Sequence, residues 1–145
     1  MEEISERIVL AKSDEYDCIV DPDRSIVSAS QEKGYIEQPL DVNEVTQALQ
    51  RIASKGFTSI AVCFLHSYMF PVHEKLVRDI ALSLGCFSQI SLSSEVMNMI
   101  RMVPRGVTTS VDAYLTPIIT RYLQSFCSGF DEGTLFESNM RYGGM

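Results

Sequence analysis

The sequence predicts an α/β fold in which helices flank a small, partly parallel sheet. Apolar residues recur every three or four positions in residues 42–53, 76–84 and 107–126, which is the period of a helix with one buried face. A nearly continuous apolar run at residues 57–65 and a shorter one at 87–92 are typical of strands. Because these elements alternate as helix, strand, helix, strand, helix with short connections, we expect the strands to be parallel.

The segment before the first helix is mostly polar and acidic. Residues 6–10 are predicted to form a short strand. Residues 11–37 show little periodicity and are interpreted as a loop, with one further strand around residues 18–20. Asp21-Pro22-Asp23 is a turn signal inside this segment.

The first helix and the strand after it carry clear end signals. Asp41 and Glu44 have the D-x-x-E form of a capping box, which satisfies free N–H groups at a helix start. Gly56 is a natural stop for the helix. The run at residues 57–65 has almost no polar interruption, so we expect both faces of that strand to be covered.

The second helix and the second strand are marked in the same way. Pro71 can open a helix at its first turn, and Gly85 can end it. After the strand at residues 87–92, Ser93-Ser94-Glu95 has the composition of a capped helix start.

The last helix is predicted to be long and amphipathic. Residues 107–126 would span about 30 Å at 1.5 Å per residue. We expect a kink at Pro117, because proline cannot donate to the carbonyl of Ala113. Residues 128–145 are interpreted as a loop with a broken strand at residues 134–136.

Charge and apolar content exclude two classes of partner. The net charge is −7, and residues 1–50 carry 12 acidic and 4 basic residues, a net charge of −8. Such a chain repels phosphodiester backbones, so no nucleic-acid partner is expected. No apolar run approaches the roughly 18 residues of a membrane span, so no membrane partner is expected.

The four cysteines and the acidic N-terminus point to a reducing, intracellular setting. The cysteines lack the spacing of a zinc site or a disulfide framework, and Cys63 is interpreted as a small core residue. The N-terminus lacks the basic and apolar regions of a signal peptide. We therefore expect a cytoplasmic location.

Candidate site residues follow the two strands, where α/β sheets usually place ligands. His66 comes directly after the first strand, and Ser94 and Glu95 come directly after the second. His66 could act in catalysis or simply be the first polar residue beyond a core strand. The N–H groups near Ser94 and Glu95 could hold an anion or merely cap a helix.

Other charged residues leave similar alternatives. Arg101 and Arg105 could pair with a carboxylate or a phosphate, or form structural ion pairs. His66 and His73 are only two ligands, so no metal site is expected. The sequence has no Walker A loop, G-x-G-x-x-G loop or G-x-S-x-G elbow, so the residues alone indicate no reaction.

Five short blocks carry a family resemblance that covers nearly the whole chain. They are Leu65-His66-Ser67-Tyr68, Pro71-Val72-His73-Glu74, the run at residues 91–97, the run at residues 101–106, and Asp112-Ala113-Tyr114-Leu115-Thr116-Pro117. In this order the sequence resembles the hydantoinase/oxoprolinase family, most closely its eukaryotic-type ATP-dependent 5-oxoprolinase branch.

The resemblance implies a fold and an activity. The fold would be part of an actin-like, ribonuclease H-like ATPase domain. Residues 1–105 would be the later part of the N-terminal region, and residues 106–145 the connecting helix and the start of the next domain. The complete enzyme would convert 5-oxo-L-proline, ATP and water to L-glutamate, ADP and phosphate in glutathione turnover. It would work as a cytosolic homodimer with magnesium and potassium.

The resemblance also implies that the nucleotide site is incomplete in this chain. The family's Asp-x-Gly-Gly-Thr phosphate motif lies upstream of the matched region. Gly143 and Gly144 match the glycines of a later Ser-Asp-Gly-Gly segment, but Tyr142 stands where the acidic residue would be. We therefore assign ATP to the complete enzyme and expect the 145-residue chain alone to be inactive.

Two alternatives to an oxoprolinase segment stay open. One is a non-catalytic interaction domain derived from the same family, and the other is a segment of a hydantoinase subunit. In each case, the apolar faces of the last helix and of the strand at residues 57–65 are expected to need partners beyond this chain.

Overall fold

The computed structural model describes residues 1–10, 25–27 and 33–128. Five strands and four helices lie in these ranges. In chain order they are β1 (Arg7–Leu10), β2 (Ser25–Val27), β3 (Lys33–Gln38), α1 (Val42–Ser54), β4 (Ser59–Val62), α2 (Val72–Leu84), β5 (Gln89–Leu92), α3 (Ser93–Val96) and α4 (Met102–Cys127).

Strands β4 and β5 pair in parallel, as the sequence predicts, but they form a sheet of their own, so the single, partly parallel sheet that was expected is instead two sheets. Ser59 lies opposite Gln89, and Val62 lies opposite Leu92. One face of this pair packs against α1 and α2 around a shared apolar core. The core consists of Leu40, Val45, Leu49, Ile60, Val62, Val77, Ala81 and Leu92.

Helix α4 covers the opposite face of the same two strands. The Ser91 hydroxyl, on that face of β5, donates to the Asp112 carboxylate at 2.6 Å. A Cβ added at Gly106 of α4 would lie 3.6 Å from the sulfur of the half-buried Cys63. Gly106 therefore lies beside this thiol. The small parallel sheet therefore has helices on both sides, an arrangement typical of α/β domains.

A second, antiparallel sheet has the order β1-β3-β2. Val9 and Ser25 both lie opposite Tyr35 on the central strand β3. The predicted loop at residues 11–37 is therefore wrong where β2 and β3 lie. Strand β3 has the sequence Lys-Gly-Tyr-Ile-Glu-Gln, in which apolar and polar residues do not alternate. It is a strand because its two edges pair with β1 and β2. The predicted strand at residues 18–20 lies outside the described residues.

The helix ends predicted at Asp41, Gly56 and Gly85 are confirmed, with one difference, but the cap predicted at residues 93–95 is wrong, because Leu92 is the N-cap of α3 and no side chain caps it. Asp41 caps α1, because its side chain accepts from the Asn43 N–H at 2.8 Å. The Glu44 carboxylate does not close the capping box and instead accepts from the Ser5 N–H at 3.4 Å. Gly56 and Gly85 follow α1 and α2 with φ of +83° and +65°, a conformation that glycine adopts without strain.

The strands are shorter than predicted. The run at residues 57–65 forms a strand only at Ser59–Val62, and the run at residues 87–92 only at Gln89–Leu92. Phe57 and Leu65 are 57% and 53% exposed, so the expectation of cover along the whole run is wrong. Backbone hydrogen bonds between strands need a partner strand. In a two-stranded sheet, neither strand can therefore extend beyond the residues that pair.

Helix α4 begins at Met102, five residues before the predicted start. Pro104 lies in its first turn, where N–H groups have no helical partner and proline is tolerated. Pro117 lies inside the helix, as predicted. No helix in the described ranges is long and apolar enough to cross a bilayer.

Candidate functional site

The predicted site residues lie at the edge where β4 and β5 end. Both strands run in the same direction, so their carboxyl ends meet there. The loop after β4 supplies His66 and Ser67, and α3 directly after β5 supplies Ser93 and Ser94. Helices α2 and α4 bring Glu74 and Arg105 to the same edge. We call these six residues the strand-end cluster.

Glu74 is the centre of the strand-end cluster. It lies in the first turn of α2 and is 0% exposed. Its Oε1 accepts from the Phe64 N–H at 3.1 Å and the Ser93 hydroxyl at 2.5 Å. Its Oε2 accepts from the Ser94 N–H at 2.9 Å and the Ser94 hydroxyl at 2.7 Å. Four donors occupy this carboxylate, so it ties the end of β4 to the start of α3.

The cluster serines are held as structural donors. The Ser67 hydroxyl donates to the Phe64 carbonyl at 2.9 Å, and its oxygen lies 3.2 Å from the Ser93 oxygen. Ser93 and Ser94 both direct their hydroxyls to Glu74. A nucleophilic serine needs a base within hydrogen-bond reach that is free to take its proton. The arrangement therefore favours positioning and binding over nucleophilic catalysis.

Arg105 is fully buried beneath the loop that follows β4. Its Nη2 donates to the carbonyls of Phe64, at 2.5 Å, and Leu65, at 3.0 Å. The guanidinium carbon lies 5.7 Å from the centre of the Tyr68 ring. Its Nε and Nη1 are buried without a hydrogen-bond partner. A buried cation with spare donors is suited to bind an anion.

His66 lies on the same loop with its ring 6.2 Å from that of Tyr68. Its Nδ1 is buried and has no hydrogen-bond partner. Burial lowers the pKa of the imidazole, the Glu6 carboxylate opposes this by raising it, and the Arg105 guanidinium lowers it further. The net shift is downward, so the neutral imidazole is favoured and can both donate and accept a hydrogen bond.

His73 has a separate role. Its Nδ1 lies 2.6 Å from the Glu6 carboxylate, and the two side chains are 8% and 6% exposed. This contact joins the segment before β1 to α2. Within the described ranges, no three His, Cys, Asp or Glu side chains come together in a way that could hold a metal ion.

The structure brings together two of the three residues that the sequence singled out after the strands. His66 and Ser94 both belong to the strand-end cluster. Glu95 instead pairs with Arg78 at 2.6 Å on the surface. Gly143 and Gly144 lie outside the described residues. The roles of these residues stay predictions.

Sequence reasoning missed Glu74 and misjudged the surroundings of Arg105. In the sequence, Glu74 is only the last residue of one family block and has no assigned role. Arg105 was grouped with Arg101, but Arg101 is exposed and only Arg105 enters the cluster. One signal could have revealed this, because Arg105, Thr109 and Ala113 recur every four residues and form the buried stripe of α4.

Comparison with known proteins adds a family to this geometry. Residues 2–85, more than half of the chain, match the family model described as the hydantoinase/oxoprolinase N-terminal region. The chain is 42% identical over 130 residues to 5-oxoprolinase 1 of Arabidopsis thaliana, covering 90% of this chain and 10% of the relative.

Two further relatives agree. A 5-oxoprolinase of Dictyostelium discoideum is 51% identical over 89 residues, covering 61% of this chain and 7% of the relative. A 5-oxoprolinase of Saccharomyces cerevisiae is 39% identical over 137 residues, covering 88% of this chain and 10% of the relative. The chain thus spans about a tenth of the length of these relatives or less.

Proposed function

The chain belongs to the hydantoinase/oxoprolinase N-terminal family, and on that premise we propose that it is a segment of an ATP-dependent 5-oxoprolinase. The complete protein would add water across the lactam C–N bond of 5-oxo-L-proline to give L-glutamate, coupled to hydrolysis of ATP to ADP and phosphate. The observation that carries this proposal is the 42% identity to a 5-oxoprolinase over 90% of the chain. As a cytosolic activity, the reaction would serve glutathione turnover.

We assign the described unit to part of an actin-like ATPase domain. The parallel pair of β4 and β5, with α1 and α2 on one face and α4 on the other, supports this assignment. In open α/β sheets, ligands bind beyond the carboxyl ends of the strands. The strand-end cluster would therefore border the cleft of the complete protein, with the loop at His66 and the start of α3 facing it.

The strand-end cluster would act by positioning rather than by covalent chemistry. Glu74 fixes the start of α3, and Arg105 fixes the loop after β4 through two carbonyls. His66 is the cluster residue that keeps a neutral imidazole with an unused ring nitrogen. It is our candidate for contact with the substrate.

The described residues do not fit a nucleotide-phosphate site. Their buried donors lie at the strand-end cluster, and the sequence has no glycine-rich phosphate loop there. We assign ATP, magnesium and potassium to the complete homodimeric protein. For this reason we expect the 145-residue chain alone to release no glutamate.

A segment exchange tests the proposal. The stretch of the S. cerevisiae 5-oxoprolinase that matches this chain is replaced by it, and ATP-dependent glutamate release from 5-oxo-L-proline is measured. Since the two stretches are 39% identical over 88% of this chain, we expect the chimaera to fold and keep activity. The 145-residue chain, assayed beside a no-protein blank, should give none.

Re-insertion of the yeast enzyme's own stretch through the same junctions is the matched control. A chimaera that folds with the control's melting temperature but releases no glutamate would contradict the proposal. Glutamate release by the 145-residue chain itself would contradict its assignment as an incomplete segment.

A further inference from the structure

Arg105 carries a buried charge that the described structure leaves without a counter-ion. It is 0% exposed, and no carboxylate of the described residues lies within 4.0 Å of its nitrogens. The carbonyls of Phe64 and Leu65 occupy only Nη2, while Nε and Nη1 have no acceptor. Burial of a charge is costly unless the charge is paired, and the described residues provide this guanidinium with no anion.

A second buried atom without a partner lies on the loop that Arg105 holds. His66 Nδ1 is buried and makes no hydrogen bond. His66 is the next residue after Leu65, whose carbonyl accepts from Arg105. Buried polar groups are normally hydrogen-bonded, so two such groups, one on a loop and one on a helix, call for a partner that the described residues do not supply.

The carboxylates of the surrounding elements are already engaged. Glu74 accepts four hydrogen bonds, and Glu6 is paired with His73. Asp112 on α4 accepts from Ser91 and Thr116. None of the three approaches Arg105 closely enough to form an ion pair, so no carboxylate of the described residues serves as an acceptor for its free nitrogens.

We propose that Arg105, together with His66, binds the carboxylate of a small organic acid at the strand-end cluster. The Arg105 nitrogens supply charge-assisted hydrogen bonds, and the neutral His66 ring supplies one further hydrogen bond. This inference rests on the proposed function, which names the acid as 5-oxo-L-proline. The ring of that acid would lie towards the exposed side of the loop, where Leu65 is 53% exposed.

Access requires a local movement of side chains. The Arg105 guanidinium lies against the Tyr68 ring, and both Tyr68 and His66 are half-buried. The acid enters as these two rings turn outward. This movement breaks the cation–π contact between Arg105 and Tyr68.

The test is a titration of the 145-residue chain followed by ¹H–¹⁵N nuclear magnetic resonance. The Arg105 Nε–H signal and the amide signals of residues 65–68 are monitored with acetate, with 5-oxo-L-proline and with 2-pyrrolidinone, the neutral lactam that lacks a carboxylate. We expect saturable shifts with both acids and none with the lactam.

Three variants connect the shifts to Arg105. Arg105→Gln should weaken acid binding by about tenfold or more, the typical weight of a charge-assisted hydrogen bond. Arg105→Lys keeps the positive charge, so we expect this variant to fold and to bind the acids with intermediate affinity. Arg78→Gln removes a surface arginine that pairs with Glu95 and should bind the acids as the parent chain does.

The outcomes separate this site from the proposed function. Absence of saturable shifts with both acids would overturn the site, as would unchanged binding by a folded Arg105→Lys and Arg105→Gln pair. Saturable binding of acetate together with an inactive segment-exchange chimaera would support the carboxylate site while contradicting the 5-oxoprolinase reaction.

Discussion

Glu74 shows how one residue can join elements that are distant in sequence. Its carboxylate binds donors from Phe64, ten residues before it, and from Ser94, twenty residues after it. With 0% exposure, none of these bonds can be replaced by water without opening the loop. Hydrogen bonds to a buried charged group each contribute about 1.5–3 kcal/mol, which makes Glu74 a strong determinant of local order.

Replacement of this carboxylate by an amide should destabilise the fold. In Glu74→Gln, the side-chain NH₂ would face donors instead of offering an oxygen, so at least one buried N–H or O–H would lose its acceptor. We expect the free energy of unfolding to fall by about 1–3 kcal/mol, measured by urea denaturation.

Asp79→Asn on the same helix is the matched control, because Asp79 is exposed. It should change stability by less than about 0.5 kcal/mol. Equal stabilities of the two variants would show that the Glu74 hydrogen bonds do not support the fold.

Helix α4 has two parts with different surroundings. Its first half packs on the sheet through the stripe of Arg105, Thr109 and Ala113. Beyond Ala113 no residue of the helix is fully buried. From Val107 onward its large apolar residues are 39–69% exposed, and they are Val107, Val111, Tyr114, Leu115, Ile118, Ile119, Tyr122, Leu123 and Phe126. These side chains stay exposed in the described structure, and the expectation that this face needs a partner beyond the chain remains a prediction.

Such a surface should make the isolated chain associate with itself. A contiguous exposed apolar patch of this kind is unusual for a monomer. We expect the sedimentation coefficient of the 145-residue chain to rise with concentration, and Ile119→Glu to reduce this rise by placing a charge within the patch.

Leu82→Glu provides the comparison, since Leu82 is 60% exposed on α2 and lies outside the patch. It should leave the concentration dependence unchanged. If the parent chain sediments as a monomer at every concentration, the exposed face of α4 does not cause self-association.

At the scale of the whole molecule, a glycine links the two sheets. A Cβ at Gly34 in β3 would lie 2.8 Å from the ring of Phe70, which is buried in the loop before α2. The ring therefore rests directly on the backbone of the antiparallel sheet. The pair of Glu6 and His73 provides a second link between the same two parts.

Gly34→Ala should weaken the contact between the sheets. Its methyl group would force the Phe70 ring away, and overpacking of this kind costs about 1–3 kcal/mol. We expect a lower melting temperature, together with faster hydrogen exchange in β3.

Gly106→Ala is the matched substitution in α4, because its Cβ would meet only the Cys63 sulfur at an ordinary 3.6 Å. It should raise stability by about 0.5–1 kcal/mol, since alanine is the better helix former. A stabilising Gly34→Ala would mean that the Phe70 ring moves aside freely.

The sequence by itself determined the elements whose signals are local. The periodicity of α1, α2 and α4, the cap at Asp41 and the stops at Gly56 and Gly85 depend on residues within a few positions of one another. The apolar runs located β4 and β5, and the ordered sequence blocks identified the family. These signals can be recognised without knowledge of the fold, because helix geometry and turn conformation depend on residues close together in the sequence.

Only the tertiary structure decided which distant groups meet. The lengths of β4 and β5, the pairing of β3 with β1 and β2, and the burial of Arg105 depend on partners far along the chain. Arg105 binds carbonyls 40 and 41 residues away, and Glu74 meets Ser94 across 20 residues. A charged residue looks the same in sequence whether it is solvated or enclosed. Its role is set by the dielectric and the donors that folding places around it.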